Sequence, residues 1–216
     1  MKYLTATSLI LLLGLASSNA ADFDDHHCSA PVGITLQVPG SGGPIADDRR
    51  ASTAYLAGYL QGRDGLIKLD SVNIDASLET SSQVYNDPEG DIGISALGVP
   101  HGPVPALAYK IRIGQKSLVF SGDQNGSSEA FLDFASGTDV LVMHMPVPEN
   151  ISGTGRKLHA PPSIIGKIAA KTGASTLVLS HFMARSLESL EGNLVQVRNR
   201  YKGSLVVADD LDCIGV

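Results

Sequence analysis

The chain has no tryptophan, and aromatic residues make up only 5% of its 216 positions. Platforms on which bases or sugar rings stack are therefore scarce. Basic residues are also in deficit: 16 Lys and Arg face 22 Asp and Glu, a formal net charge of −6. Phosphate backbones are bound by clustered Lys and Arg, so nucleic acid is disfavoured as the main partner. A small-molecule substrate, neutral or cationic, fits better. Beyond the N-terminus no apolar run is long enough for a membrane span. Cysteine is nearly absent; Cys28 and Cys213 are the only two and lie near opposite ends. In an oxidising compartment such a pair reads as a disulfide before a metal or redox site, with the geometric test left open.

The first twenty residues set the expected compartment. Lys2 is a positive n-region, residues 9–15 an apolar core, and Ser18-Asn19-Ala20 a small-residue cleavage site. The apolar core is too short to span a bilayer, and no Cys follows it, which argues against a lipid anchor. The expectation is a signal peptide over 1–20 and one exported domain over 21–216, periplasmic or secreted.

Turn formers and apolar runs predict strands at 34–38, 52–56, 92–99, 106–113, 117–120, 140–143, 176–179 and, last, 205–208. Helices are predicted over 127–135, 162–172 and 187–201, with Gly137, Gly173 and Gly203 beyond their ends. Residues 80–91 read as a polar loop, and 66–74 as a run of partial alternation. Hairpins first and βα alternation later imply a mixed sheet with helices packed on it.

Four polar residues stand at strand ends or ahead of a helix: His101, Asp123, His159 and His181. Imidazoles and a carboxylate suit zinc or a similar borderline cation. Each also has an ordinary reading. Asp123, in Ser121-Gly122-Asp123, is either a rim carboxylate or a cap for the next helix. His101 and His181 are either ligands or structural histidines, and His159 is either a proton donor and acceptor or a loop residue. His144 reads as structural, and the Asp24-Asp25-His26-His27-Cys28 cluster as a solvated arm. Gly40-Ser41-Gly42-Gly43 lacks the Lys of a phosphate loop and reads as a turn.

Taken in order, these motifs resemble the C-terminal half of metallo-β-lactamase-fold hydrolases, nearest the ribonuclease Z and arylsulfatase-like branch. The residues that carry the resemblance are His101 before Ala106-Leu107-Ala108-Tyr109, Ser121-Gly122-Asp123, His159 heading a helix, and Leu179-Ser180-His181-Phe182-Met183-Ala184-Arg185. Leu36-Gln37-Val38-Pro39-Gly40-Ser41-Gly42-Gly43 is similar to the family's opening strand and glycine turn.

The resemblance implies an α/β fold, an αββα sandwich of mixed sheets with flanking helices. It implies one or two zinc ions, with His101 a ligand of the first metal, His181 of the second, and Asp123 bridging. His159 matches a histidine beside the metals that serves proton transfer. The implied activity is hydrolysis of an ester, lactone, sulfate ester or phosphodiester through metal-bound hydroxide.

One departure is large. The family's His-X-His-X-Asp-His motif, which supplies four ligands, occurs nowhere in the chain. It would lie past Leu56, where Ala57-Gly58-Tyr59-Leu60 already reads like a later part of the fold. An internal deletion near 56–57 follows, making the sandwich partial. One histidine and a shared carboxylate per metal hold zinc poorly, so reduced or absent occupancy and impaired hydrolysis are expected. Asp47, Asp48, His26, His27 and His144 are the conceivable supplementary ligands. The alternative is an exported, inactive remnant or binding protein of the same fold. Loss of the flanking elements predicts an open groove, exposed apolar faces on 66–74 and 92–99, and self-association.

Overall fold

Strands that bury both faces must carry apolar residues at nearly every position, and Val140-Leu141-Val142-Met143 and Leu177-Val178-Leu179 do so. The computed structural model of the protein describes residues 34–41, 54–59 and 80–216. The leader, the cluster at 24–28, Asp47, Asp48 and the run at 66–74 lie outside the described residues.

Seven strands form the larger sheet in chain order: β3 (Ser82–Asn86), β4 (Ile92–Val99), β5 (Ala106–Ile113), β6 (Lys116–Phe120), β7 (Val140–His144), β8 (Thr176–Ser180) and β9 (Ser204–Val207). Pairing is antiparallel from β3 to β6 and parallel from β6 to β9. A three-stranded antiparallel sheet runs β10-β1-β2, from β1 (Ile34–Gly40), β2 (Ala54–Tyr59) and β10 (Asp212–Gly215). The position 56–57 falls inside β2, where Leu56 and Ala57 pair with Gln37 and Leu36 in unbroken register.

The helices are α1 (Glu129–Phe134), α2 (Gly153–Leu158), α3 (Pro162–Thr172), α4 (Ala184–Leu187) and α5 (Leu190–Arg200). Alternation along the strands divides the core in two. Leu97, Val119, Leu141, Met143, Leu177 and Leu179 pack with Phe131, Ile165, Ile168 and Val197 of the helices. The alternate residues Leu118, Val140, Val142 and Val178 pack with Leu36, Val38 and Ile214 of the small sheet. Helices, large sheet and small sheet thus form three layers among the described residues, a partial αββα sandwich. Cys213 of β10 is disulfide-bonded; the chain's other cysteine, Cys28, lies outside the described residues.

Several expectations are corrected. The stretch 80–91 holds strand β3, missed because this edge strand is exposed on both faces and shows no apolar alternation. Residues 205–208 are not the last strand: β10 follows, with Ile214 its only fully buried residue and so no periodicity to read. Helix α2 was unread because Gly153 and Gly155 weaken any helical signal. The helix expected over 187–201 breaks after α4. There the buried Asn193 amide donates to the Ser186 carbonyl at 3.0 Å and substitutes for the next turn's backbone bond. Strand β4 does not expose its apolar face; Ala96, Leu97 and Val99 are 0%, 1% and 5% exposed, covered within the core.

Candidate metal centre

Parallel strands end on one rim of the sheet, and their C-terminal ends carry the polar residues. Asp123 follows β6, His144 is the last residue of β7, and His181 follows β8. Gly122 makes the Asp123 position possible. It has φ +58, and a Cβ there would strike the carbonyl of Leu107 on β5, so the turn tolerates neither a side chain nor its strain. His181 adopts φ 57, an uncommon conformation for a residue with a Cβ. Backbone bonds on both sides hold it: Met145 N–H donates to the Ser180 carbonyl at 2.8 Å, and Phe182 N–H to the Ser41 carbonyl at 3.0 Å.

The other two histidines sit on loops that lock each other. His101 lies between Pro100 and Gly102, and its Nδ1 is 3.0 Å from the carbonyl of Leu158, at the end of α2. Gly102 (φ +59) lets α2 approach, since a Cβ would stand 2.6 Å from Leu158 Cδ2. His159 caps α2, its N–H donating to the Gly155 carbonyl at 2.9 Å.

All four imidazoles converge on one carboxylate. His144 Nδ1 is 2.9 Å from Asp123 Oδ1, and His181 Nε2 is 3.4 Å from the same oxygen. His159 Nδ1 is 3.7 Å from Oδ1, and His101 Nε2 is 4.0 Å from Oδ2. Ligand-capable atoms fall into two triads that share Asp123: His101–Asp123–His159 and Asp123–His144–His181. The four histidine side chains are 11–13% exposed and Asp123 25%, so the cluster is recessed rather than an open groove, yet water reaches it.

The helix-cap reading of Asp123 is closed. Ser128 caps α1, its hydroxyl accepting from Phe131 N–H at 3.1 Å, while Asp123 faces the histidines. Burial pushes the Asp123 carboxyl up, but the His144 hydrogen bond and the charges of His144, His181 and His159 outweigh it. The carboxyl is thus held well below its usual range. Burial pushes the His159 imidazole down to about 4, against Asp123 and with help from His101, Arg185 and His144. Burial and then His144 push His181 down to about 3, again against Asp123. Neutral His159 and His181 beside an ionised Asp123 are in the protonation state a cation requires of its ligands.

The residues present fit a borderline divalent cation such as zinc on their chemistry, imidazole nitrogen and carboxylate oxygen. A second observation agrees: His159 Nδ1 is buried without a hydrogen-bond partner among the described residues. The structure corrects the expectation of one histidine per carboxylate side, because each triad holds two. His144, read from sequence as structural, is the nearest imidazole to Asp123. Its signal was present: it ends an apolar strand just as Asp123 and His181 follow theirs. Arg185 does not join the carboxylate; its guanidinium donates to the Pro146 carbonyl at 3.0 Å and contacts Met183 Sδ.

Neither a protein-family profile nor a curated protein sequence matches the chain. Solved structures do. The metallo-β-lactamase fold protein YhfI from Bacillus subtilis superposes with a TM-score of 0.66 at 14% identity, covering 84% of this chain and 99% of that one. The short form of human tRNase Z superposes with a TM-score of 0.50 at 18% identity, covering 64% of this chain. The chain spans 47% of that protein's length. At such identities the likeness is one of fold.

Proposed function

We propose that this chain, which has the metallo-β-lactamase fold, is a metal-dependent hydrolase of small ester, sulfate-ester or phosphodiester substrates, exported to the periplasm or secreted. The observation that carries the reading is the convergence of four imidazoles within 4.0 Å of the Asp123 carboxylate on the C-terminal rim of the sheet. Zinc is the cation the donor set favours, with His101, Asp123 and His181 at the positions the family resemblance makes ligands. When bound, such a cation acts as a Lewis acid on a substrate oxygen and lowers the pKa of water.

The chain's own residues supply position and charge. Asp123 brings one negative charge to the centre of the cluster, and His144 fixes one of its oxygens through the 2.9 Å hydrogen bond. The Leu158 carbonyl fixes the tautomer of His101, because a carbonyl accepts only from a protonated Nδ1, leaving the unprotonated Nε2 on the side of Asp123. His159 and His181, held neutral at pH 7, are able to take up a proton from a leaving or attacking oxygen if no cation claims their lone pairs.

The net charge of −6 speaks against RNA as the substrate despite the likeness in fold to tRNase Z. No helix among the described residues is long and apolar enough to cross a membrane. A second reading, a catalytically inactive relative that binds rather than cleaves, is favoured by the lack of any His-X-His-X-Asp-His motif.

The deciding experiment uses the full chain stripped with chelator and reloaded with zinc. It is offered p-nitrophenyl acetate, p-nitrophenyl sulfate and bis-p-nitrophenyl phosphate. Zinc-dependent turnover of one of these, lost in Asp123→Ala, is the expected result. Absence of turnover with zinc bound would leave the binding-protein reading in possession.

A further inference from the structure

We infer that the chain holds a single divalent cation on the His101–Asp123–His159 flank, with His159 as a direct ligand. The His144–His181 flank then holds Asp123 in place instead of taking a second ion. The inference rests on the cation-binding part of the reading above and departs from the two-metal arrangement that the family resemblance implies.

Ring orientation separates the two flanks. A nitrogen ligates through a lone pair in the plane of its ring, about 2.0–2.1 Å from zinc. The His101 and His159 rings are 4.9 Å apart at 59°, so their planes cross close by and two lone pairs can meet at one point. The His144 and His181 rings stack, with centroids 4.2 Å apart and planes at 11°. Planes so nearly parallel intersect only far beyond a bond length, and the two rings cannot share an ion without one turning away.

Hydrogen bonding separates them again. His144 Nδ1 lies 2.9 Å from Asp123 Oδ1 and donates to it. On the other flank, among the described residues, the atoms that face Asp123 make no hydrogen bond to it. His101 Nε2, a lone pair by its tautomer, lies 4.0 Å from Oδ2. His159 Nδ1 is buried and lacks a hydrogen-bond partner among the described residues, and at 3.7 Å from Oδ1 the gap is too long for one. An unprotonated His101 nitrogen and an unpaired His159 nitrogen, held around a carboxylate too far off for hydrogen bonds, form the arrangement that a cation resolves. Ligand edges in a tetrahedral zinc site are about 3.3 Å, so small shifts of the two loops close these gaps. Two imidazoles and one carboxylate are also the three protein ligands, with a fourth position open, that catalytic zinc sites use.

The role of His159 therefore changes from proton carrier to ligand, and its neighbours on α2 become part of the site's frame. The chain would replace the missing motif with a histidine it already has, two residues beyond Lys157 and directly after the carbonyl that orients His101.

The test is metal analysis of the full chain after equilibrium dialysis against zinc. X-ray absorption on the zinc-loaded wild type and cobalt absorption spectra accompany it. The expected result is one metal per chain with two imidazoles bound. His101→Gln and His159→Gln are expected to weaken binding by more than about 100-fold, beyond the 10–100-fold typical of an outer-sphere partner, and His181→Gln by under about tenfold. Circular dichroism checks that each variant is folded, and the wild-type absorption data need no variant. Two metals per chain, or affinity that survives His159→Gln but not His181→Gln, would overturn the inference and leave the hydrolase reading standing. One bound metal without turnover would do the reverse, and no binding at all would sink both.

Discussion

In the parallel half of the large sheet, β7 and β8 are buried on both faces, whereas β3 is exposed along nearly its whole length and β5 is mostly half-buried. The site shows a second difference, between strand ends and loops. Asp123, His144 and His181 stand at ends of strands clamped between two cores, while His101 and His159 stand on loops held by the His101–Leu158 contact, two side-chain bonds between Asn125 and α2, and a few backbone bonds. Rigid strand ends fix where the carboxylate is. Loops that can shift by a few tenths of an ångström let two imidazoles close on a cation. Strand ends set position, and two loops, one between β4 and β5 and one in the β7–β8 connection, supply adjustability.

The largest effect should come from cutting into the parallel half. Leu177 is fully buried, and Leu177→Ala is expected to cost roughly 2–5 kcal/mol in urea unfolding. Tyr85 on β3 is 47% exposed, and Tyr85→Ala should stay within about 0.5 kcal/mol. Equal losses at the two positions would break the comparison.

Next in size is the seam between the halves. Gly122→Ala meets both a left-handed backbone and the Leu107 carbonyl, for about 2–3 kcal/mol and a displaced Asp123. Gly114, in the β5–β6 turn, has the same kind of φ (+57) with nothing within 4 Å of a Cβ. Gly114→Ala should cost about 1 kcal/mol and leave zinc affinity unchanged. Unfolding and zinc titration of the pair separate strain from site geometry.

Acid should act chiefly on the rim. His159 and His181 are pushed from 6.5 to about 4 and about 3, so the fold favours their neutral forms. Stability from such groups is complete above about pH 6.5 and is lost as pH falls through the lower values. Asp123, held below its ordinary 3.8, acts in the same sense: its contribution is present above that value and lost as pH falls. Chelator-treated protein should therefore lose on the order of a few kcal/mol between about pH 6.5 and 3. A urea midpoint that is flat from neutral to acid pH would contradict the burial of these histidines.

Legibility in the sequence followed the same division. β4, β5 and α3 were readable to their ends, and β7 and β8 to within a residue, because burial imposes apolar runs and Pro162 and Gly173 punctuate α3. β3 and β10 were not, since one exposed edge strand and one four-residue strand bury too little to leave a pattern. In the site, Asp123 and His181 were readable as strand-end residues. The approach of His144 to Asp123 depends on the parallel pairing of β6 with β7, a tertiary fact that spacing along the chain does not encode. The orphaned Nδ1 of His159 depends in the same way on how α2 docks.

The smallest effect tests whether the seam between halves is electrostatic or backbone in origin. Lys116 of β6 pairs with Asp139, just before β7, at 3.0 Å, but the Lys116 side chain is 49% exposed. Water screens such a pair, and ordering a long side chain offsets part of its attraction, so Lys116→Met should change stability by about 0–0.5 kcal/mol. Asp139 does more than pair with Lys116. Its other oxygen accepts from the Ser117 N–H at 2.9 Å, and its own N–H donates to the Ser117 carbonyl at 3.1 Å. Asp139→Ala keeps the second bond and removes the first, a charge-assisted one from a partly buried amide, so about 1–2 kcal/mol should be lost. The difference between the two variants, measured with and without 0.5 M salt (roughly a 4 Å screening length), carries the test. If Lys116→Met costs as much as Asp139→Ala and the loss vanishes in salt, the halves are joined by charge and not by backbone.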